Sequence, residues 1–252
     1  PGTSTASVGR PPVLLPPVNQ PWDYQLGAAY RPAAGVTVIT RDHAQPPVPG
    51  AYNICYVNAF QTQPGESGRW PATLLLRDAT GQPVEDPARP GEYLLDTRTA
   101  ARQSAITARL QEWLADCARE GYQAVEPDNL DSWTRSGGLL RAEDNLAVAA
   151  RLVSAAHSLG LAVAQKNAAE LLPRARAAAG FDFAVVEDCQ VFAGCGTFLA
   201  AYGNRVLELE YADHGSAGFA AACRDHGTQV SITSRDRRLT TPGRPGYVFR
   251  TC

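Results

Sequence analysis

Eight short runs of β-branched and aromatic residues recur along the chain, several followed by a stretch with the apolar spacing of an amphipathic helix. The runs occupy residues 22–26, 36–40, 52–58, 122–126, 161–166, 181–187, 205–211 and 229–234. Helical patterns lie at 99–120, 142–159, 168–179 and 216–225, with a weaker one at 197–202. Alternating strand and helix implies a parallel sheet. Eight such strands in 252 residues predict an α/β fold, a closed (β/α)8 barrel. Between the first three runs stand only GAAYRPAAG and RDHAQPPVPG, so the early crossovers must be abbreviated. A doubly wound open sheet is the alternative, although no GxGxxG follows the first run. Residues 61–96 read as an insertion after the third strand, with a hairpin around Thr80-Gly81. Residues 1–21, rich in Pro, Gly, Ser and Thr, read as an arm or linker left after removal of a secretory signal. Residues 22–252 then form a single domain.

A chain with 44% apolar residues and a net charge of −2 can bury a core and offers no basic surface, which excludes disorder and nucleic-acid binding. No run of about 18 apolar residues exists, so no membrane span is expected. Six cysteines with no CxxC pair point to disulfides in an oxidising compartment, hence to secretion, and not to zinc. There is no Met, and Lys166 is the only Lys among 23 basic residues. The first marks a processed or trimmed product. The second asks whether that one ammonium sits where a guanidinium cannot.

In a barrel, chemistry gathers at the C-terminal ends of the strands, and here those ends are acidic. The second run leads into Arg41-Asp42, the fourth into Glu126-Pro127-Asp128-Asn129-Leu130-Asp131, and the sixth into Glu187-Asp188. The seventh ends in Glu210-Tyr211-Ala212-Asp213 and the eighth leads into Arg235-Asp236; Asn58 closes the third, and Lys166-Asn167 the fifth. Helix capping is the structural alternative, strongest for Asp188 and Asp213. Strand alternation puts Ala124, Glu126 and Asp128 on one face, with Val125 and Pro127 on the other. Two carboxylates on different strands, one kept ionised and one able to donate a proton, are the minimum equipment for retaining glycoside hydrolysis; Asp128 and Glu187 supply that pair. Binding of Ca²⁺ or Mg²⁺ by Asp42, Glu126, Asp128, Asp131 and Glu210 is the rival use, but no EF-hand spacing occurs and no metal or other cofactor is expected. Tyr24, Tyr56, Trp133 and Tyr211 are candidate sugar-stacking faces, Trp133 foremost because its loop is polar.

The segments AYNICYVNAF, GYQAVEPDNLDSW, AHSLGLAVAQKN, GFDFAVVEDC and ELEY, in that order, resemble glycoside hydrolase family 114, the endo-α-1,4-polygalactosaminidases. The resemblance runs from Trp22 to about Tyr211, more loosely to Cys252. It implies a (β/α)8 barrel and a secreted α-1,4-linked polymer of galactosamine and N-acetylgalactosamine as substrate. Asp128 matches the essential Asp of the fourth strand and Glu187 the essential Glu of the sixth; by analogy the first is nucleophile and the second acid/base. The candidate substrate-binding set, from the strand ends and the aromatics near them, is Tyr24, Asp42, Tyr56, Asn58, Glu126, Asn129, Asp131, Trp133, Lys166, Asn167, Glu210, Tyr211 and Asp236. An acidic mouth suits a cationic, partly deacetylated galactosaminan, and a monomer is expected. The family's usual Asp on the second strand falls near Thr40-Arg41-Asp42, its Asn before the catalytic Glu is Val186 here, and Lys-Asn-Asp becomes Lys166-Asn167-Ala168. These departures are expected to alter subsites. Placement on the barrel narrows about 15 possible cysteine pairings to Cys55 with Cys117, Cys189 with Cys195, and Cys223 with Cys252. Two other readings share the motif: a catalytically silent carbohydrate-binding protein and a metal-dependent hydrolase.

Overall fold

The computed structural model describes residues 11–252. Strands β1 (Trp22–Gln25), β2 (Val38–Asp42), β3 (Tyr52–Asn58), β4 (Ala124–Asp128), β5 (Ala162–Lys166), β6 (Phe183–Glu187), β7 (Val206–Tyr211) and β8 (Ser231–Arg235) stand side by side in chain order. Each runs parallel to the next, and a short β9 (Phe249–Thr251) joins β8 antiparallel. The ring closes between β8 and β1 through side chains: Thr233 Oγ1 donates to Trp22 O at 2.5 Å, and the fully buried Arg235 donates to Asp23 Oδ1 at 2.8 Å. This is the (β/α)8 barrel that the alternation predicts.

Helices α1 (Ala100–Glu120), α2 (Ala142–Ser158), α3 (Arg174–Ala179), α4 (Cys195–Tyr202) and α5 (Ser216–His226) cover its later strands. Thr99 caps α1 by accepting the Arg102 N–H at 3.3 Å, and Gly121 ends it at φ 98°, a left-handed conformation glycine adopts without steric cost. The period-2 alternation of each strand divides the core in two. Trp22, Ile54, Ala124, Phe183 and Leu209 fill the barrel, while Val57, Val125, Val163, Ala184 and Val186 face the helices.

Several elements depart from the expected bounds. β2, β4, β6 and β8 each start two residues later than predicted. At β2, Val36 N bonds Ala33 O at 3.2 Å in a turn that precedes the ladder. The helix predicted at 168–179 splits into a 3-10 turn, Ala169–Leu171, and α3, because Pro173 lacks the N–H and its ring blocks a continuous helix. The insertion forms the expected hairpin, with Asp78 N bonded to Gln82 O at 3.0 Å and Val84 N to Leu76 O at 2.8 Å. The predicted arm is described only from residue 11; there Val13 and Leu15 pack against the barrel cluster, and Tyr52 Oη holds Leu14 O at 2.7 Å. Residues 1–10 lie outside the described residues. All three expected disulfides are formed, Cys55–Cys117, Cys189–Cys195 and Cys223–Cys252.

Candidate active site

The lone lysine stands at the centre of the acidic mouth. Lys166, the last residue of β5, is 2% exposed and donates from Nζ to Glu126 Oε1 at 2.7 Å and to Tyr24 Oη at 2.9 Å. The same nitrogen lies 3.6 Å from Asp128 Oδ1 and 3.7 Å from Glu187 Oε2. Burial works against its charge, but Asp128, Glu126 and Glu187 outweigh it and hold the ammonium well above the usual lysine range. Three carboxylates from β4 and β6 thus share one cation, an arrangement a planar guanidinium would not satisfy in so small a space.

Each carboxylate has its own support. Asp128 Oδ2 accepts the Tyr56 hydroxyl at 2.8 Å and Oδ1 the Asn129 N–H at 2.8 Å. Burial raises the Asp128 pKa; Lys166, these two bonds and Arg89 together hold it below the usual carboxylate range. Glu187 Oε1 accepts the Tyr211 hydroxyl at 2.6 Å and Oε2 the Asn167 amide at 2.9 Å, while Asn167 Oδ1 takes the Glu187 N–H at 2.9 Å. Glu126 is wholly buried. Its Oε1 accepts from Tyr24 at 2.6 Å as well as from Lys166, its Oε2 has no partner, and burial raises its pKa. Asn129, Asn167 and Asp188 follow three of these strands at φ 64°, 46° and 52°. Left-handed residues of this kind are uncommon outside Asn and Asp, and they gather where strain fixes a site.

Other expected site residues serve the mouth indirectly. Asn58 Oδ1 accepts from Asn129 at 2.8 Å, and Asp131 pairs with Arg135 at 3.0 Å. Asp42 sits at the rim, holding Gln63 Nε2 at 2.9 Å and Ala44 N at 2.9 Å. Asp236 accepts Thr240 N at 2.9 Å and Val248 N at 3.2 Å, so it shapes the loop after β8. Trp133 is half-buried between the main core and a small cluster of Leu76, Leu94 and Leu140, and does not line the pocket over the carboxylates. Asp188 and Asp213, expected as caps, instead clamp Arg237 at 3.0 and 2.8 Å. Val186 and Ala168 are buried in the outer core.

Glu210 is the clearest correction. Alternation along β7 turns Leu207, Leu209 and Tyr211 inward, which sends Glu208 and Glu210 outward beneath α5. Glu210 Oε1 holds Gln190 N at 2.8 Å, Glu208 bonds His226, and burial pushes Glu208 up to about 7 and Glu210 up to about 8. Folded pKa values above the unfolded ones mean that this pair stabilises the fold fully at low pH and ceases to do so as pH rises through the folded values. Thermal melts between about pH 5 and 9 are therefore expected to decline with pH, and Glu210→Gln to flatten the decline; parallel wild-type and variant curves would overturn the assignment.

One site residue carries no local sequence signal. Arg89 comes from the insertion and lines, with Asp86, Ala88, Asn129, Asp131, Arg135, Asn167, Asp128 and Glu187, a pocket of about 210 Å³. Burial lowers its pKa, but Asp128, Glu92 and Glu187 outweigh that and raise it. Asp86 positions the opposite wall by pairing with Arg135 at 2.8 Å. A larger open groove, about 550 Å³, runs between α1 and α2, but no carboxylate lines it.

A barrel that holds two carboxylates at the ends of β4 and β6, 3.6 and 3.7 Å from a buried ammonium, has the equipment of a glycoside hydrolase. Glycoside-hydrolase family GH114 matches residues 3–252. The chain belongs to that family. Among solved structures, Aspergillus fumigatus Ega3 in complex with galactosamine is 20% identical, with a TM-score of 0.72 over 100% of both chains. The glycoside hydrolase domain of Pseudomonas aeruginosa PelA is 17% identical, with a TM-score of 0.59 over 89% of this chain and 96% of that one. At these identities the likeness is one of fold. No curated protein matches by sequence.

Proposed function

We propose that the protein cleaves an α-1,4-linked galactosamine and N-acetylgalactosamine polymer internally and with retention, Asp128 acting as nucleophile and Glu187 as acid and then base. The observation that carries this reading is the pair of oxygens, Asp128 Oδ1 and Glu187 Oε2, at 3.6 and 3.7 Å from the Lys166 ammonium. Two atoms so close to a third lie within about 7.3 Å of each other, which admits the ~5–5.5 Å of retaining enzymes and only the short end of the ~6.5–9.5 Å inverting range. Asp128, held ionised, attacks C1 while Glu187 protonates the departing O4; the C1–O4 bond breaks and a β-linked glycosyl ester forms. Glu187 then takes a proton from water, the oxygen attacks C1, and the ester bond breaks to release the α-anomer.

Family membership and the amino sugar in Ega3's crystal support the substrate class. Around the pocket the carboxylates of Asp86, Asp128, Asp131 and Glu187 outnumber the guanidiniums of Arg89 and Arg135, a balance that favours a polymer bearing free ammonium groups. Three disulfides fit secretion, and no helix among the described residues is long and apolar enough to cross a membrane. Incubation with partly deacetylated galactosaminan tests the reading: short oligosaccharides are expected, with the α-anomer first by NMR and no loss of rate in EDTA. A first-formed β-anomer overturns retention, polymer that is bound but uncut supports the silent binding protein, and inhibition by EDTA the metal-dependent one.

A further inference from the structure

We propose that Phe192 is a sugar-stacking platform that takes a galactosamine ring of the polymer at a distance from the cleaved bond, extending the binding site beyond Glu187. The inference rests on the galactosaminan reading above. Phe192 sits in the loop between β6 and α4 and is 72% exposed, a large apolar surface left in water at the C-terminal mouth of the barrel.

The loop beneath it is fixed. The Cys189–Cys195 disulfide closes it, Phe192 N bonds Asp188 O at 3.1 Å, and Gly194 N bonds Cys189 O at 2.8 Å. The buried Glu210 anchors it from below through Gln190 N at 2.8 Å. Val191 packs so closely on α5 that a Cβ at Gly218 would come within 2.9 Å of it. An aromatic ring held out on a rigid loop loses little conformational freedom when a ligand covers it.

A continuous file of side chains joins this ring to the proposed acid. Phe192 meets His214 edge-on at 5.9 Å, His214 Nε2 lies 2.9 Å from Arg237 Nη2, and the Arg237 guanidinium stacks 4.0 Å over Tyr211, whose hydroxyl holds Glu187. These residues come from the loops and strand ends of β6, β7 and β8, so they share one rim. Asp188 and Asp213 flank the Arg237 guanidinium, which offsets its repulsion of a polycation. The occupant that fits is a galacto-configured ring, whose axial O4 leaves a contiguous C–H patch on the opposite face for an aromatic surface. An endo-acting enzyme has further rings of the same chain to offer at that distance.

The test compares Phe192→Ala and Phe192→Trp with the wild-type on two substrates: partly deacetylated galactosaminan, and the shortest galactosamine oligosaccharide that is still cut. The alanine variant is expected to raise KM on the polymer about three- to tenfold while kcat/KM on the short substrate is unchanged, and tryptophan is expected to restore the polymer KM. An unchanged polymer KM overturns the proposal, as does an equal loss on both substrates, which would mean that Phe192 acts only through the loop beside Glu187. Polymer uncut by the wild-type sinks the galactosaminan reading, and this inference with it; polymer cut equally well by the alanine variant sinks this inference alone.

Discussion

Asp128→Asn and Glu187→Gln are each expected to leave the barrel folded and to remove nearly all polymer cleavage. Both replacements are isosteric. The amide oxygen introduced at either position can still accept the hydroxyl of Tyr56 or Tyr211, bonds of 2.8 and 2.6 Å in the wild-type, but the amide nitrogen then meets a second donor, Asn129 N or Asn167 Nδ2, so a modest fall in Tm is expected with the barrel still folded. Catalysis is another matter. An amide in place of the Asp128 carboxylate cannot form the glycosyl ester, and turnover should fall on the order of a thousandfold or more. Loss of the proton donor at Glu187 should cost roughly 10²–10⁴-fold, less for a substrate whose leaving group departs without a proton. That asymmetry separates the two roles: with an activated aryl glycoside, release of the aryl group in the first turnover is expected to recover in Glu187→Gln and not in Asp128→Asn. Near-normal polymer turnover in either variant overturns the assignment. Rescue in the opposite sense exchanges the roles.

The barrel is legible in the sequence because its signals are local and repeated: apolar runs of strand length, helical periods between them, and polar residues after each run. Glu126, Asp128 and Glu187 are legible for the same reason, since a carboxylate that follows an apolar strand at its C-terminal end has one place to point. Glu210 is misplaced by a single residue of register. It lies next to Tyr211, which does face the barrel, and period-2 alternation sends adjacent side chains to opposite sides of the sheet. Arg89 is invisible because its role comes from the way the 61–96 insertion folds back: Leu94 N bonds Val84 O at 2.9 Å and Leu95 N bonds Phe60 O at 3.0 Å, which carries the loop with Arg89 over the mouth. Trp133 misleads because a polar stretch of sequence does not make a polar surrounding, and the insertion supplies Leu76 and Leu94, two of the leucines against which it packs. Local pattern therefore locates the strand ends, and tertiary contact decides which loop residues reach them.

Lys166→Met is expected to be the most damaging single change for the fold, and its pH dependence to reveal why. The substitution keeps the volume and removes the charge, leaving Glu126 wholly buried without its cation and Asp128 and Glu187 facing each other across the vacated position. Breaking a buried ion pair in this way costs about 3–5 kcal/mol, on the order of 10 °C in Tm for a domain of this size. Glu126, whose pKa burial already raises, would then bind a proton in the folded state. A carboxyl with a folded pKa above its unfolded value stabilises the fold below the unfolded pKa and ceases to do so as pH rises through the folded one, so the variant should recover part of its Tm on acidification. Asp128 in the wild-type has the opposite sign: its pKa is lowered, and its contribution is lost as pH falls through the folded value. The double variant Lys166→Met/Glu126→Gln removes the buried charge along with its partner. It is expected to regain most of the lost stability and flatten the pH response without regaining turnover, because Asp128 and Glu187 still lack the ammonium between them. Melts from about pH 4 to 8 alongside polymer assays decide the matter: a double variant no more stable than Lys166→Met would mean that the lysine stabilises the barrel by something other than neutralising Glu126.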